Sequence, residues 1–464
     1  MSEWHFRHFL TIPQPSNRFF LRFVISSNLT HPFDSPMPLP ALSRRAFVKT
    51  AALASASFAL PQILRAQSGL SPSNRLNVAL IGNGLICNQH IGGLLPRDDI
   101  RIVAVCDVNL PKARRMAERA EKFYGAASAT GTYRGVSVYQ YPEDVFALPD
   151  VDVVFICTPD HWHVPLSHAA IRAGKDVYCE KPLSLTVREG RTLVEAARKH
   201  GRILQTGTQQ RSERAFRRAA EIIRNNLIGD LKHIRTRLGT FPNAPVLDEQ
   251  PIPPEFDYDR WLGPTPWRPY HPDRVVGNYG GGWRCFYEYG GRKNGDWGAH
   301  HFDIIQWALG MDNSGPVEFI PKGYDGTPYQ THIYANGVRV ERVDEGLRAM
   351  IEFTGTKGTV FVGRDDFLET NPPELATRPF RATEIRLYSS DNHHDDFFNC
   401  VRTRQHPIAD VEVGHRSASV GHLCNIAQFL QRPIRWDPAK EEIIGDPVAS
   451  TQLDRPRRAP YNTL

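Results

Sequence analysis

Several things are scarce in this chain. No stretch interleaves lysine or arginine with aromatics in the manner of a nucleic-acid surface, which excludes nucleic acid as a partner. No apolar run approaches the roughly 20 residues of a membrane-crossing helix, so no stable membrane insertion is expected. There is no internal repeat. Cysteine supplies only 7 of 464 residues, and none stands at a zinc-type spacing from histidine. Cys106, Cys157 and Cys179 fall in apolar, strand-like runs and read as small core fillers rather than disulfide partners. The remainder, 41% hydrophobic and 23% charged with a net charge of +6, describes a soluble globular protein long enough for two domains. Part of the positive charge lies near the N-terminus and in Arg455, Arg457 and Arg458.

What is present begins at Leu76-Asn77-Val78-Ala79-Leu80-Ile81, an apolar run of strand length followed at once by Gly82-Asn83-Gly84-Leu85-Ile86-Cys87. Two glycines let the backbone turn tightly and approach a pyrophosphate at a helix N-terminus. The third fingerprint position, normally Gly or Ala, is Cys87. A second strand, Ile102 to Cys106, ends in Asp107. A carboxylate about twenty residues beyond the glycines accepts hydrogen bonds from a ribose and repels a 2′-phosphate, so NAD is expected over NADP. Val151 to Cys157 forms another strand, leading to Thr158-Pro159-Asp160-His161-Trp162-His163 and a helix from Pro165 to Ala173 that stops at Gly174. Asp176 to Cys179 is a further strand, delivering Glu180-Lys181-Pro182 at its carboxyl end, where open α/β sheets bind ligands. A helix from Val187 to His200 and a strand from Arg202 to Gly207 close this domain, assigned to residues 74–207.

A second group, Asp296-Trp297-Gly298-Ala299-His300-His301-Phe302-Asp303, follows roughly a hundred residues later. An amine at a strand end, with a carboxylate and an imidazole four apart at a helix start, suits removal of hydride from a carbinol carbon while its hydroxyl loses a proton. Lys181 stabilises the developing alkoxide and His300 takes the proton. His301 is turned about 100° from His300 on a helix, and no metal is assigned to this group. His393-His394-Asp395-Asp396 is likewise read as helix-start cap and dipole-compensating groups rather than as a metal site.

With these motifs in order, the chain resembles the Gfo/Idh/MocA oxidoreductase family over nearly everything from Asn74 onward. The resemblance rests on Gly82-x-Gly84, Thr158-Pro159-x-x-x-His163, Ala173-Gly174-Lys175-x-Val177-x-Cys179-Glu180-Lys181-Pro182 and Asp296-x-Gly298-x-His300-x-x-Asp303. It implies an N-terminal Rossmann domain and a C-terminal α+β domain whose large, mostly antiparallel sheet backs the active site. Sugars, inositols and related polyols are the implied substrates. Lys181, Asp296 and His300 match the family's catalytic group. Thr158, Pro159 and His163 match its loop beside the cofactor. With Gly82, Gly84, Asp107 and Glu180 they make up the expected cofactor site, to which Lys181 also belongs.

The second domain, residues 208–464, opens with a helix from Ser212 to Asn225 and a strand from Lys232 to Gly239. Strand-like pieces recur at 317–320, 331–334, 338–343, 347–353, 359–362 and 384–388, with turns at Asn336-Gly337 and Gly355-Thr356-Lys357-Gly358. Helices are expected at 396–400 and 415–430. Residues 240–295 lack apolar periodicity and are crowded with Pro, Gly, Tyr and Trp, as in a structured loop covering a site. Trp283, Arg284, Tyr287 and Tyr289 offer an apolar wall with hydrogen-bonding tips, suited to sugar rings, or simply pack that loop down. Arg211, Trp283, Arg284 and His301 are the expected substrate contacts.

Ser43-Arg44-Arg45-Ala46-Phe47-Val48-Lys49, followed by a modest Ala-rich apolar stretch and Leu64-Arg65-Ala66, resembles a twin-arginine (Tat) export signal. Residues 1–66 are therefore assigned to a leader, with Met37 a plausible start. The Tat machinery becomes an expected partner, and the periplasm or exterior the expected location in preference to the cytoplasm. A homo-oligomer is also expected. Two activities remain open. One is NAD-dependent oxidation of a sugar, glycoside or polyol hydroxyl. The other is a redox-neutral NAD-dependent glycosidase or lyase, in which a transient ketone permits elimination before the hydride returns. Export favours tightly bound NAD, since an exported enzyme meets almost none free. A binding protein on a decayed scaffold is a third reading, weakened by the presence of Lys181, Asp296 and His300 together.

Overall fold

The computed structural model describes residues 75–125 and 135–461. The leader and export signal expected over residues 1–66 lie outside the described residues. Six parallel strands, β1 (Leu76–Ile81), β2 (Ile100–Cys106), β3 (Ser137–Tyr139), β4 (Val153–Ile156), β5 (Asp176–Cys179) and β6 (Leu204–Thr206), form one sheet in the order 3-2-1-4-5-6. β4 and β5 are buried along their whole length because helices cover both faces. The order reverses between β1 and β4, which opens a crevice at their carboxyl ends. β3 was not anticipated. It is a three-residue edge strand with two exposed residues, so it carries no apolar pattern.

The helix Val187–His200 shows why the sequence is readable here. Thr186 accepts from the Glu189 N–H, and Gly201 closes the last turn in the left-handed conformation. Val187, Leu193, Val194 and Ala197 line its buried face.

The second sheet has nine strands. β7 (Leu231–Arg237) leads into the long loop, which contains the two-residue strands β8 (Gly277–Asn278) and β9 (Gly281–Gly282). Then follow β10 (Glu318–Ile320), β11 (Gln330–Ile333), β12 (Arg339–Val343), β13 (Ile351–Gly355), β14 (Thr359–Val362), β15 (Leu368–Asn371), β16 (Ile434–Asp437) and β17 (Glu442–Ile443). Their order is 15-14-13-7-12-11-10-16-17. Every neighbouring pair is antiparallel except β7 and β12, whose crossover includes the loop and the helix Gly298–Leu309. The expected strand at 384–388 does not form. The Ile385 N–H donates to the Asn225 side chain and the Leu387 N–H to Glu221, so side chains of the helix Arg214–Arg224 and its cap replace a ladder.

The helix Val411–Leu430 is buried over most of its length and packs against the helices Val187–His200 and Gly298–Leu309 as well as β6. It ties the nucleotide-type half to the second sheet behind the site.

Candidate active site

The chain turn after β1 holds the first part of the site. Gly82 has φ +82°, and a Cβ there would sit 2.8 Å from Thr158 Cγ2, so only glycine lets the loops after β1 and β4 meet. A Cβ on Gly84 would meet nothing within 4 Å; its backbone faces open space. Asp107, at the end of β2, accepts from the backbone N–H groups of Asn83 and Asn109, each at 2.8 Å, and thereby fixes the glycine loop. Cys87 is fully buried under β1, so the departure from Gly or Ala is absorbed in the core.

A cleft of about 990 Å³, counted with its open mouth, runs from Asp107 past Gly82, Gly84, Thr158 and Pro159 to Trp283 and Arg284. It is long, largely apolar, glycine-floored at one end and carries a carboxylate beside the β2 terminus. These residues fit a dinucleotide: Gly84 leaves room for a pyrophosphate, and Asp107 stands where a ribose hydroxyl would donate. Lys112 also lines the cleft near Asp107.

Arg284, on the cleft wall, connects it to a polar group. Lys181 Nζ donates to Asp296 Oδ1 at 2.7 Å and lies 3.3 Å from the Asp296 carbonyl oxygen. Arg284 Nε is 3.5 Å from the same carboxylate oxygen. Burial pushes the Asp296 carboxyl up, but Lys181, Arg284 and Lys293 together hold it below its ordinary value. Asp296 is therefore an anion that presents Lys181. His300 follows one turn later and is buried, with Nδ1 lacking a hydrogen-bond partner among the described residues. Burial first, then the charges of Lys181 and Arg364, push its imidazole well below 6.5, leaving a neutral ring whose protonated form those charges oppose.

Glu180 is buried, with Oε1 2.8 Å from His90 Nε2 and Oε2 3.3 Å from the Lys181 N–H. His163 bridges Pro182 and Thr158, its Nδ1 at 2.6 Å from one carbonyl and its Nε2 at 2.9 Å from the other. It binds the two loops together rather than facing the cleft.

Two expected substrate contacts sit elsewhere. Arg211 is buried with both carboxylates of Asp303 and Asp312 on its guanidinium, so its donors are consumed inside the protein. His301 is buried against β7, with Nδ1 3.1 Å from Thr236 Oγ1. Trp283 and Arg284, by contrast, line the cleft. Tyr289 is buried in an aromatic cluster with Phe256, Tyr258, Trp261 and Tyr270, which holds the long loop down. The His393–Asp396 group has internal duties: Asn392 caps its helix, His393 contacts Thr206 and Ser212, and Asp396 accepts from Ile408 and Tyr388.

Two further residues belong to the site. Asp160 is buried directly after Pro159 and accepts from the Gly291 N–H at 3.2 Å. Burial lifts its carboxyl from 3.8 to about 6, against the charges of His163, Lys181 and Arg284. His90 lies three residues after Cys87 on the buried face of the helix Leu85–Leu94. That i, i+3 placing was the only sequence signal for it.

Residues 76–208 match the family model described as oxidoreductase family, NAD-binding Rossmann fold. Residues 240–463 match the one described as oxidoreductase family, C-terminal alpha/beta domain. The chain belongs to the Gfo/Idh/MocA oxidoreductase family. It is 30% identical to a myo-inositol 2-dehydrogenase of Thermotoga maritima over 391 residues, 80% of this chain and 100% of that protein. A D-glucoside 3-dehydrogenase of Escherichia coli K12 is 30% identical over 160 residues, covering 34% of this chain and 42% of that one. The fold is shared with an aldose-aldose oxidoreductase from Caulobacter crescentus solved with glycerol, at a TM-score of 0.54 and 19% identity, covering 78% of this chain and 99% of that one.

Proposed function

We propose that this protein oxidises a hydroxyl group of a sugar, glycoside or related polyol. The observation that carries the reading is the 2.7 Å Lys181–Asp296 contact, joined to the glycine-floored cleft through Arg284, with a neutral His300 beside it. Lys181 donates to the carbinol oxygen and stabilises the alkoxide as it forms. Asp296 holds the ammonium in place and balances its charge. His300 takes the hydroxyl proton. NAD, when bound, supplies the hydride acceptor. Arg284 and Trp283 shape the wall between the two ends of the cleft. The names of the inositol and glucoside dehydrogenase relatives support this substrate class.

The cofactor is read as NAD because the Asp107 carboxylate faces the ribose position and repels a 2′-phosphate. The nearby Lys112 and Arg115 charges soften that repulsion. Protein purified from a cytosolic host is expected to release NAD(H) on denaturation. Recovery of NADP(H), or absence of affinity for either, overturns the assignment. Activity is tested on a panel of inositols, sugars and glycosides. Stoichiometric NADH marks the dehydrogenase, aglycone release without NADH marks the redox-neutral alternative, and neither product removes both.

Export through the twin-arginine route is part of the same reading, supported by Arg44-Arg45 ahead of an Ala-rich stretch. A dinucleotide is not available after export, so folding and loading come first. Replacing both arginines by lysines is expected to leave the protein cytosolic and unprocessed. A wild-type protein that stays in the cytosol defeats this part.

A further inference from the structure

A second cleft, about 850 Å³ with its open mouth, adjoins the loop at residues 240–241 and the strands β11 and β12. Its lining is one-sided in charge: Arg292, Lys293, Lys322 and Arg342 against the single carboxylate of Asp344. Three of the cations are accounted for in part. Arg292 donates to the carbonyls of Cys285, Phe241 and Pro242, none of which neutralises it. Arg342 donates to Asn294 Oδ1 and the Gly239 carbonyl and touches Asp344 at 3.3 Å, while its buried Nε has no partner among the described residues. Lys322 reaches Asp344 only at 3.6 Å.

Lys293 is different. It is only 9% exposed, and no hydrogen bond or short ion pair among the described residues engages its ammonium, whose main opposing charge is the Asp296 carboxylate already bonded to Lys181. Its Nζ lies 3.9 Å from the centre of the Phe241 ring and 5.8 Å from that of Trp297. Unlike the Arg342 Nε, this ammonium is not sealed from solvent: the stem is buried and the charge opens to the cleft. Lys293 also precedes Asp296 by three residues in one helical turn, which places it on the same face as the residue that holds Lys181.

We propose that this cleft is an oxyanion subsite, with Lys293 and Arg342 receiving a carboxylate, phosphate or sulfate carried by the sugar whose hydroxyl reacts at Lys181. The inference rests on the proposed oxidoreductase reading and narrows its substrate class to acidic sugars. The oxyanion supplies the acceptors that Lys293 and the Arg342 Nε lack, and it balances the excess of positive charge. Charge-assisted hydrogen bonds of this kind are shorter and stronger than neutral ones.

The test is calorimetric binding to the full, NAD-loaded chain, with glucuronate, glucose 6-phosphate, glucose and inorganic phosphate as probes. At least one acidic sugar is expected to bind roughly ten- to a hundredfold tighter than glucose. Which one does so separates a carboxylate subsite from a phosphate subsite. Lys293→Met is expected to abolish the preference while NAD is retained. Asp344→Asn, which removes the one carboxylate lining this cleft, is expected to tighten acidic-sugar binding, a gain that misfolding does not produce. Equal affinity for glucose and both acidic sugars, no binding of any sugar, or a preference unchanged in both variants overturns the proposal. So does inorganic phosphate binding as tightly as the sugar phosphate, since the anion would then not need the sugar. The two readings fail separately. Selective binding without hydride transfer to any substrate sinks the oxidoreductase and leaves the subsite, whereas oxidation of sugars bound without regard to charge does the reverse.

Discussion

His90 Nε2 lies 2.8 Å from Glu180 Oε1, joining the helix after the glycine loop to the residue that precedes Lys181. The carboxylate is boxed in on its other side. A Cβ added to Gly207 would stand 2.6 Å from the same Oε1. The strand end that delivers Lys181 is thus fixed by a buried acid held between an imidazole and a bare backbone.

Glu180→Gln is expected to reduce stability at pH 7 by about 1–3 kcal/mol, the cost of weakening a buried charge-assisted hydrogen bond. Burial raises the Glu180 carboxyl, but His90, Lys181 and His163 bring it below its ordinary 4.5 in the folded chain. A depressed acid contributes stability that is present above 4.5 and is lost as pH falls through the lower folded value. The gap between wild type and variant should therefore narrow as pH falls below 4.5. Urea unfolding at pH 7 and in acid measures it, and a gap independent of pH removes the electrostatic account.

Gly207→Ala tests the steric half. The new methyl must displace the Glu180 carboxylate, and overpacking of this sort costs roughly 1–3 kcal/mol. Turnover is expected to fall along with the melting temperature, because Lys181 is the next residue. A variant with wild-type melting and wild-type turnover shows that the pocket gives way freely.

Much of this was legible in the sequence, and the exceptions have physical causes. The first domain declared itself because its strands are buried on both faces and its helices carry caps, as at Thr186 and Gly201. Lys181 and Asp296 were readable because each lies in a compact motif. Arg211 and His301 are engaged by Asp303 and Thr236, and a polar residue near a site motif does not reveal its partner. Asp303, which claims Arg211, lies 92 positions away. Lys293 and Asp160 were passed over because their significance lies in the charges the fold places around them, and no local pattern reports that. The short strands β3, β15 and β17 carry too few apolar residues to show alternation.

Asp160 gives a pH signature of opposite sign. Its folded value is raised from 3.8 to about 6, so the folded chain holds the proton more tightly than the unfolded chain. Wild-type stability should carry a penalty that grows as pH rises from 3.8 to about 6 and is constant above it. Asp160→Asn removes that titration. The melting temperature of the variant relative to wild type is expected to climb across this window and then level. A difference that stays flat from pH 4 to 7 shows that Asp160 titrates normally.

The last prediction concerns whether Lys181 and Asp296 act as a unit. Lys181→Met removes the donor to the carbinol oxygen and is expected to lower kcat/KM by roughly 10²–10⁴, the range for a positioned acid–base group. Asp296→Asn leaves the amine in place without the anion 2.7 Å away that aims it, and should lower turnover by a comparable order. If the carboxylate works through the amine, the double variant loses far less than the product of the two single losses. NAD affinity is the control. The glycine loop and Asp107 line a cleft to which neither Lys181 nor Asp296 contributes wall, so the nucleotide should be retained in all three variants. Multiplicative losses would show that Asp296 serves the substrate independently, and His300→Ala would then decide whether the imidazole rather than the amine is its partner.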